Sequence, residues 1–215
     1  MNVYSIPSNV SALLFDMDGT LYTNREYAQS QIDLPIRRLA ILKAKSFEQM
    51  RAEIDKFYAE FAQTHNGCKT SLSNAFLAFG VSIDESVHWR EELYDPASAL
   101  DSDPRLDETL AQLANFYKLA LVTNNPTLVA QKTLDALGVD RGVFSALVGL
   151  DTCKVSKPNA APFLKAAELL GVPCSECVSI GDRFAVDVEV PLSLGMGGIL
   201  VDGVEDVYSL ALTTL

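Results

Sequence analysis

The sequence has few cysteines, no long apolar run and a shortage of positive charge, and each of these excludes a class of protein. The four cysteines among 215 residues are too few and too unevenly spaced for a disulfide framework, so reduced thiols and a cytoplasmic location are expected. No apolar run approaches the roughly 20 residues that a membrane helix needs, so no membrane partner is expected. The N-terminal residues lack the basic and then apolar pattern of a signal peptide.

Acidic residues outnumber basic ones, which argues against a general nucleic-acid binder. The chain has 17 Lys and Arg against 28 Asp and Glu, for a formal net charge of −11. Such a chain repels phosphodiester backbones. A small anionic substrate remains compatible with this charge where a metal ion or a lysine reverses the field locally.

Short apolar runs alternate with helical patterns along most of the chain. Strands are predicted at residues 10–16, 118–123, 146–150, 177–181 and 198–201. One helix is predicted to begin at Asp103 and Pro104, and two others span residues 126–137 and 158–170, with Gly138 and Gly171 at their C-caps. This alternation predicts an α/β fold, a Rossmann-like parallel sheet with helices on both faces.

Residues 23–97 interrupt the alternation because they contain no convincing strand. Ser46 and Gln49 have the spacing of a capping box before an apolar stripe, and residues 70–79 and 84–94 indicate two more helices. We therefore predict a core of residues 1–22 and 98–215, with an all-helical domain of residues 23–97 inserted after the first strand. Basic residues are concentrated early in this insertion, on either a solvated face or a lid that meets an anionic substrate: Arg25, Arg37, Arg38, Lys43, Lys45 and Arg51.

Polar residues follow the predicted strands where each one ends. In open α/β sheets, ligands bind beyond the carboxyl ends of the strands, so these side chains are expected to converge. The candidates are Asp16, Asp18 and Gly19 after the first strand, Thr123 and Asn124 after the second, Lys157 in a later loop, and Asp182 and Asp187 after the fourth.

This combination of residue types points to phosphoryl transfer. Several carboxylates at one site require a cation, and Mg²⁺ is the natural cation for oxygen ligands. A free carboxylate can attack phosphorus, and a second carboxyl group two residues away can serve as general acid and then as base. Gly19 allows a tight turn whose amides face a phosphate. Lys157 is a candidate for offsetting the carboxylates, although Lys154 lies in the same loop.

Four segments resemble, in order, the motifs of the haloacid dehalogenase superfamily phosphatases. These segments are DMDGTLY, LVTNN, SKP and SIGDRFAVD. The insertion after the first motif is similar to the helical cap of the first subfamily of that superfamily. The resemblance covers nearly the whole chain.

The resemblance implies a role for each residue on the reaction path. Asp16 would be the nucleophile and a metal ligand. Asp18 would be the acid and base, with its backbone carbonyl on the metal. Lys157 would neutralise the nucleophile and the phosphate.

The remaining residues are implied to bind phosphate or metal. Thr123 would hydrogen-bond the phosphate with Asn124 next to it. Asp182 would ligate Mg²⁺ directly, and Asp187 would hold a metal water or Lys157.

The expected function is Mg²⁺-dependent hydrolysis of a small phosphorylated metabolite through an aspartyl phosphate. Asp18 points away from the dehalogenases and the phosphonate-cleaving members of the superfamily, which lack an Asp at that place. Two alternatives stay open: a phosphomutase that uses the same aspartyl phosphate, and a phosphorylatable signalling domain without turnover. Cys174 and Cys177 form a CxxC without a second pair, so we interpret them as structural.

Overall fold

The computed structural model describes residues 1–65, 67 and 70–211. Its six strands form one sheet in the order β1–β6–β5–β2–β3–β4. Strands β2 to β6 run parallel to one another. Strand β1 pairs antiparallel with β6. The strands are β1 Asn2–Ser5, β2 Ala12–Phe15, β3 Lys118–Val122, β4 Phe144–Val148, β5 Cys177–Gly181 and β6 Gly197–Leu200.

Helices cover both faces of the sheet, which confirms the predicted Rossmann-like α/β fold. Leu13 and Phe15 of β2 face one apolar cluster, and Ala12 and Leu14 face the other, because successive strand residues point to opposite sides. Helices α5, α6 and α10 contribute to the first cluster and α8 to the second. The core helices are α5 Pro104–Ala114, α6 Thr127–Leu137, α7 Leu150–Cys153, α8 Ala161–Leu170, α9 Glu189–Ser193 and α10 Val204–Leu210.

The predicted helix ends agree with the structure where a capping residue marks them. The side chain of Asp103 accepts a hydrogen bond from the amide of Leu106 at 3.0 Å. Gly138 and Gly171 adopt left-handed conformations at the C-caps of α6 and α8, with φ values of 71° and 63°. Glycine pays no Cβ penalty in that conformation, which is why it signals a helix end so reliably.

One strand was not predicted, and two predicted elements have different bounds in the structure. Strand β1 was not predicted because all four of its residues are exposed and form no apolar run. The strand expected at residues 146–150 runs from Phe144 to Val148, since Gly149 ends it and caps α7. The helix expected from residue 158 begins at Ala161, whose amide donates to Asn159 Oδ1 at 2.9 Å.

The described residues between β2 and α5 form four α-helices, which we call the four-helix segment: α1 Arg25–Leu42, α2 Phe47–Thr64, α3 Leu72–Ala78 and α4 Ile83–Leu93. They enclose an apolar cluster of their own. The Ser46–Gln49 capping box is present with both of its hydrogen bonds. Helix α1 was not predicted individually, because Pro35 inside it is a residue that normally ends helices. Whether residues 23–97 form a separate domain stays a prediction.

In the sequence, His65-Asn66-Gly67 predicts the end of the helix that follows Ser46. Helix α2 ends at Thr64 with His65 as its C-cap, and Asn66 lies outside the described residues. None of the described helices combines the length and the apolar character needed to cross a membrane.

Candidate active site

Three of the predicted residues follow the carboxyl ends of neighbouring strands. Asp16 follows β2, Thr123 follows β3 and Asp182 follows β5. Since β2 lies between β3 and β5 in parallel register, the sheet places Asp16 between the other two. The amide of Asp16 donates to the carbonyl of Ile180 at 2.8 Å, which continues the ladder into the site.

Lys157 bridges two carboxylates in the interior of the protein. Its Nζ lies 2.7 Å from Asp16 Oδ1 and 2.6 Å from Asp187 Oδ1. All three side chains are at most 2% exposed. Burial by itself lowers the pKa of Lys157, but Asp16 and Asp187 raise it, and the net direction is upward. Lys157 is therefore held as a cation between the two acids.

The other lysine of this loop lies elsewhere. Lys154 forms an exposed ion pair with Asp84 of α4, with Nζ 2.9 Å from Asp84 Oδ1. The structure thus brings Lys157, and not Lys154, to the acidic residues.

Asp16, Asp182 and Asp187 form a group that fits a hard cation. Each offers a carboxylate oxygen, and these three oxygens lie within 4.8 Å of one another. Asp16 Oδ2 and Asp182 Oδ1 are buried and accept no hydrogen bond within the described chain. Burial, followed by the charge of Asp16, raises the pKa of Asp182 to about 6. Buried carboxylate oxygens without partners are the ligands that Mg²⁺ prefers, so the residues fit this ion.

Two glycines allow this acidic group to pack closely. A Cβ added to Gly181 would lie 2.3 Å from Asp187 Cβ, and one added to Gly19 would lie 2.5 Å from Asp182 Oδ2. Gly19 also has a φ of 81°, in the left-handed region that favours glycine. Any side chain at Gly19 would displace Asp182.

Arg183 was not predicted as a site residue. Its guanidinium lies 3.7 Å from Asp16 Oδ2, 3.4 Å from Asp182 Oδ1 and 3.7 Å from Asp187 Oδ2, and its side chain is 49% exposed. It therefore offsets part of the negative charge from the open side of the site. The only sequence signal for Arg183 was its position directly after Asp182 in the SIGDRFAVD motif.

The carboxylate of Asp18 faces a different set of partners. Tyr22 donates its hydroxyl to Oδ1, Gln31 Nε2 donates to the same atom at 3.1 Å, and Asn125 Nδ2 donates to Oδ2 at 2.9 Å. Burial and the charge of Asp16 raise the pKa of Asp18, although the hydrogen bonds from Tyr22 and Gln31 oppose this. Asp18 thus holds its proton to a higher pH than an exposed aspartate does.

The side chain of Asp18 is accordingly not part of the three-carboxylate group. Contact of Asp18 with a metal through its backbone carbonyl stays a prediction. Gln31 and Asn125 were missed by sequence reasoning, because a buried amide carries no signal in a single sequence. Their mutual hydrogen bond, from Asn125 Nδ2 to Gln31 Oε1 at 2.9 Å, joins the four-helix segment to the loop after β3.

The two predicted phosphate-binding residues after β3 differ in how they are engaged. Thr123 is buried, and its Oγ1 accepts from the amide of Asn125 at 3.1 Å, which leaves the hydroxyl proton available. Asn124 makes two hydrogen bonds to the main chain of Lys157, of 2.7 Å and 3.1 Å. The Asn124 side chain therefore positions Lys157, and its contact with phosphate stays a prediction.

Arg90 of α4 is a fourth site residue that the sequence did not reveal, after Arg183, Gln31 and Asn125. It is 5% exposed, and it donates from Nη1 to the carbonyl of Asn124 at 2.6 Å and from Nη2 to Ser73 Oγ at 2.8 Å. Its Nε has no partner within the described residues. A positive charge from the four-helix segment thus reaches the loop that follows β3.

A cavity of about 780 Å³ opens beside these groups and extends along the four-helix segment. Of the predicted site residues, five line the cavity and three do not. Those that line it are Asp18, Gly19, Asn124, Lys157 and Asp182, and those that do not are Asp16, Thr123 and Asp187. Among the early basic residues of the insertion, Arg51 lines the cavity, whereas the other five, at positions 25, 37, 38, 43 and 45, do not.

The described cysteines form no disulfide, as expected. Cys177 is buried at the start of β5, and burial raises the pKa of its thiol to about 12. Such a thiol is inert, which agrees with the structural interpretation. Cys68 lies outside the described residues.

Similarity to known proteins supports an enzyme of this kind. A family model described as haloacid dehalogenase-like hydrolase matches residues 10–195. The chain is 30% identical over 187 residues to a phosphoglycolate phosphatase of Colwellia psychrerythraea, which covers 79% of this chain and 75% of that protein. It is 28% identical over 198 residues to a glyceraldehyde 3-phosphate phosphatase of Methanopyrus kandleri, covering 87% and 82%.

The fold is similar to that of a solved structure, CbbY from Rhodobacter sphaeroides in complex with phosphate. The TM-score is 0.59 at 18% identity, over 90% of this chain and 87% of that chain. Fold and site define an α/β enzyme with a lysine-bridged acidic centre at the carboxyl edge of its sheet. The chain belongs to the haloacid dehalogenase-like hydrolases and is a phosphatase of that superfamily.

Proposed function

We propose that this phosphatase hydrolyses phosphate monoesters of small metabolites, with Mg²⁺ as cofactor and an aspartyl phosphate on Asp16 as intermediate. The observation that carries the proposal is the state of the Asp16 carboxylate. Lys157 holds one oxygen, and the other is buried without a hydrogen bond. A carboxylate oriented in this way, with an unsolvated oxygen, is suited to nucleophilic attack.

The carboxylates of Asp16 and Asp182 and the backbone carbonyl of Asp18 would hold the Mg²⁺. When bound, the ion offsets negative charge on the phosphate and on these ligands, which lets an anionic substrate approach an acidic site. Asp187, which is bonded to Lys157, would keep this lysine in place.

In the first half of the reaction, Asp16 attacks phosphorus and the bond to the ester oxygen breaks. Asp18 transfers its proton to the leaving oxygen, so the products are an alcohol and the aspartyl phosphate. The raised pKa of Asp18 suits this role, because the group must be protonated at the moment of attack. Thr123 and Lys157 hold the phosphoryl oxygens.

In the second half, Asp18 is a carboxylate and takes a proton from water, which attacks the phosphorus of the aspartyl phosphate. The bond from phosphorus to the Asp16 oxygen breaks, which releases inorganic phosphate and restores both aspartates. Residues 23–97 would act as a cap that admits the substrate and limits access of other water to the intermediate.

Small phosphorylated metabolites are supported as substrates by the relatives described above, whose names specify phosphoglycolate and glyceraldehyde 3-phosphate. The net charge of −11 argues against nucleic-acid partners. Sustained release of phosphate over many turnovers would separate this proposal from a phospho-acceptor domain. Release as free phosphate, rather than transfer back to the organic product, would separate it from a mutase.

Exhaustive removal of divalent metal is expected to abolish phosphate release from p-nitrophenyl phosphate, and added Mg²⁺ is expected to restore it. The reason is the mutual repulsion of three carboxylates whose oxygens lie within 4.8 Å. Phosphate release is measured after chelation and then across a Mg²⁺ titration. Full activity of the chelated protein would contradict the proposal.

Asp18→Asn is expected to lower kcat by roughly 10²- to 10⁴-fold, the range attributed to general acid–base catalysis. The asparagine has nearly the same shape and keeps one acceptor oxygen for the three groups that donate to Asp18, but it cannot exchange a proton. Asp16 is intact, so the variant should still form the aspartyl phosphate from p-nitrophenyl phosphate, whose leaving group needs no proton. Rapid-quench measurement of nitrophenol release tests this. A variant that turns over alkyl phosphates normally would refute the role.

A further inference from the structure

The cavity has a charged end and an apolar end. At the charged end, Lys157 and Arg183 surround the acidic group, and Arg90 donates to the carbonyl of Asn124. The phosphate is expected at this end, because Lys157 and Arg183 both lie against Asp16. The rest of the cavity, which totals about 780 Å³, extends from there along the four-helix segment.

Apolar side chains form most of the wall that the four-helix segment contributes. The residues that carry this character are Ile32, Ile36, Ile54, Tyr58, Ala62 and Leu72. Ile32 is 39% exposed, so part of its apolar side chain is accessible. Its exposed surface is available to a ligand, and burial of that surface would favour binding.

Two hydroxyl-bearing side chains in this wall already accept hydrogen bonds within the protein. Ser71 Oγ accepts from the amide of Asn74 at 3.2 Å and lies 2.7 Å from Ser156 Oγ. Thr70 Oγ1 accepts from Asn74 Nδ2 at 2.9 Å. Among the described residues of the four-helix segment, no Asp, Glu or His lines the cavity. A sugar with many hydroxyl groups would therefore lose more hydrogen bonds to water than the few polar side chains of this wall can replace.

Arg51, which lines this part of the wall, already forms ion pairs with two carboxylates. Arg51 lies 3.1 Å from Asp33 and 3.3 Å from Asp55. A second anionic group on the substrate, such as a carboxylate, would have to compete with these two carboxylates. A substrate of two carbon atoms would also leave most of the cavity unfilled.

We infer that the substrate is the phosphate monoester of an apolar alcohol of more than two carbon atoms, rather than phosphoglycolate or a sugar phosphate. This inference rests on the proposed function, because it assumes that phosphate binds at Asp16. The phosphate occupies the charged end, and the organic group lies against Ile32 and Tyr58.

A homologous series of primary alkyl phosphates, from ethyl to hexyl, tests this inference with nearly constant leaving groups. With Mg²⁺ present, kcat/KM is expected to rise about fourfold for each methylene until the cavity is filled, the fold-change that corresponds to about 0.8 kcal/mol per buried CH₂. Phosphoglycolate and glucose 6-phosphate should be poorer substrates than hexyl phosphate. The dissociation constants of the matching alkylphosphonates, measured by calorimetry, should follow the same order without any turnover.

Ile32→Asn should lower kcat/KM for hexyl phosphate by about threefold to tenfold and leave ethyl phosphate unchanged. Ile41→Asn is the matched control, because Ile41 is 80% exposed on the same helix and does not line the cavity. Ile41→Asn should leave kcat/KM unchanged for every alkyl phosphate in the series.

The outcomes distinguish this inference from the proposed function. If Asp16-dependent phosphate release is observed but phosphoglycolate or a sugar phosphate is preferred, or the alkyl series is flat, the inference is overturned and the proposed function stands. If no ester tested, p-nitrophenyl phosphate included, releases phosphate with Mg²⁺, the proposed function fails and the inference fails with it. Equal effects of Ile32→Asn and Ile41→Asn would also overturn the assignment of the apolar wall.

Discussion

Asp16→Asn is expected to lower kcat by roughly 10⁵-fold or more, because the loss of a covalent nucleophile removes the reaction path itself. The side-chain amide has nearly the same shape as the carboxylate but does not attack phosphorus. No aspartyl phosphate should form. Phosphate release and acid-stable protein-bound phosphate are measured after incubation with a labelled phosphate ester and Mg²⁺.

The Asp16→Asn protein is expected to stay folded, so unfolding would not account for its loss of activity. Lys157 keeps its bond to Asp187 of 2.6 Å, and Asp182 loses a like-charged neighbour. The midpoint of urea unfolding should therefore not be lower than in the wild type. Asp18→Asn serves as the paired variant, since it keeps the nucleophile. A phosphoenzyme trapped in Asp16→Asn would refute the assignment.

Lys157→Met is expected to reduce both the activity and the stability of the protein. Methionine fills the space but removes the buried cation between Asp16 and Asp187, each at most 2% exposed, and leaves them only the half-exposed Arg183 at 3.7 Å. Breaking a buried ion pair in this way typically costs about 3–5 kcal/mol. The free energy of unfolding at pH 7 without metal should fall by that amount. Loss of charge stabilisation at the phosphate should lower kcat by roughly 10²- to 10³-fold.

Lys154→Met is the matched control from the same loop. Lys154 and Asp84 are both more than 60% exposed, so their pair contributes at most about 1 kcal/mol. The difference in the free energy of unfolding between the wild type and Lys157→Met should also become smaller as the pH falls from 7 towards 5. Unpaired buried carboxylates have raised pKa values in the folded state, so the stability that they lack is recovered as they take up protons. Equal destabilisation by both substitutions at pH 7 would contradict the assignment of the buried lysine.

The sheet of the core was predictable because its signals are local. Strands β2, β3 and β5 are fully or nearly fully buried, and such strands appear in the sequence as short apolar runs. Helix ends at Asp103, Gly138 and Gly171 depend on a single residue each. Strand β1 carried no such signal, since its stability comes from pairing with β6 and not from its own apolar character.

The acidic residues of the site could be located from the sequence, but their partners could not. Asp16, Asp182 and Thr123 follow buried strands, and parallel topology brings the ends of such strands together. Gln31, Arg90 and the other cavity residues of the four-helix segment lie on helices whose placement depends on tertiary packing.

The sequence by itself therefore determined the fold class, the edge of the sheet that carries the site and the acids at that edge, because these follow from local patterns and the handedness of parallel connections. Only the tertiary structure decided that Lys157 rather than Lys154 bridges Asp16 and Asp187. It also decided that Asp18 faces amides and a phenol, and that the early basic residues other than Arg51 lie off the cavity. Those outcomes depend on side-chain directions and on contacts between distant parts of the chain, which spacing along a sequence does not specify.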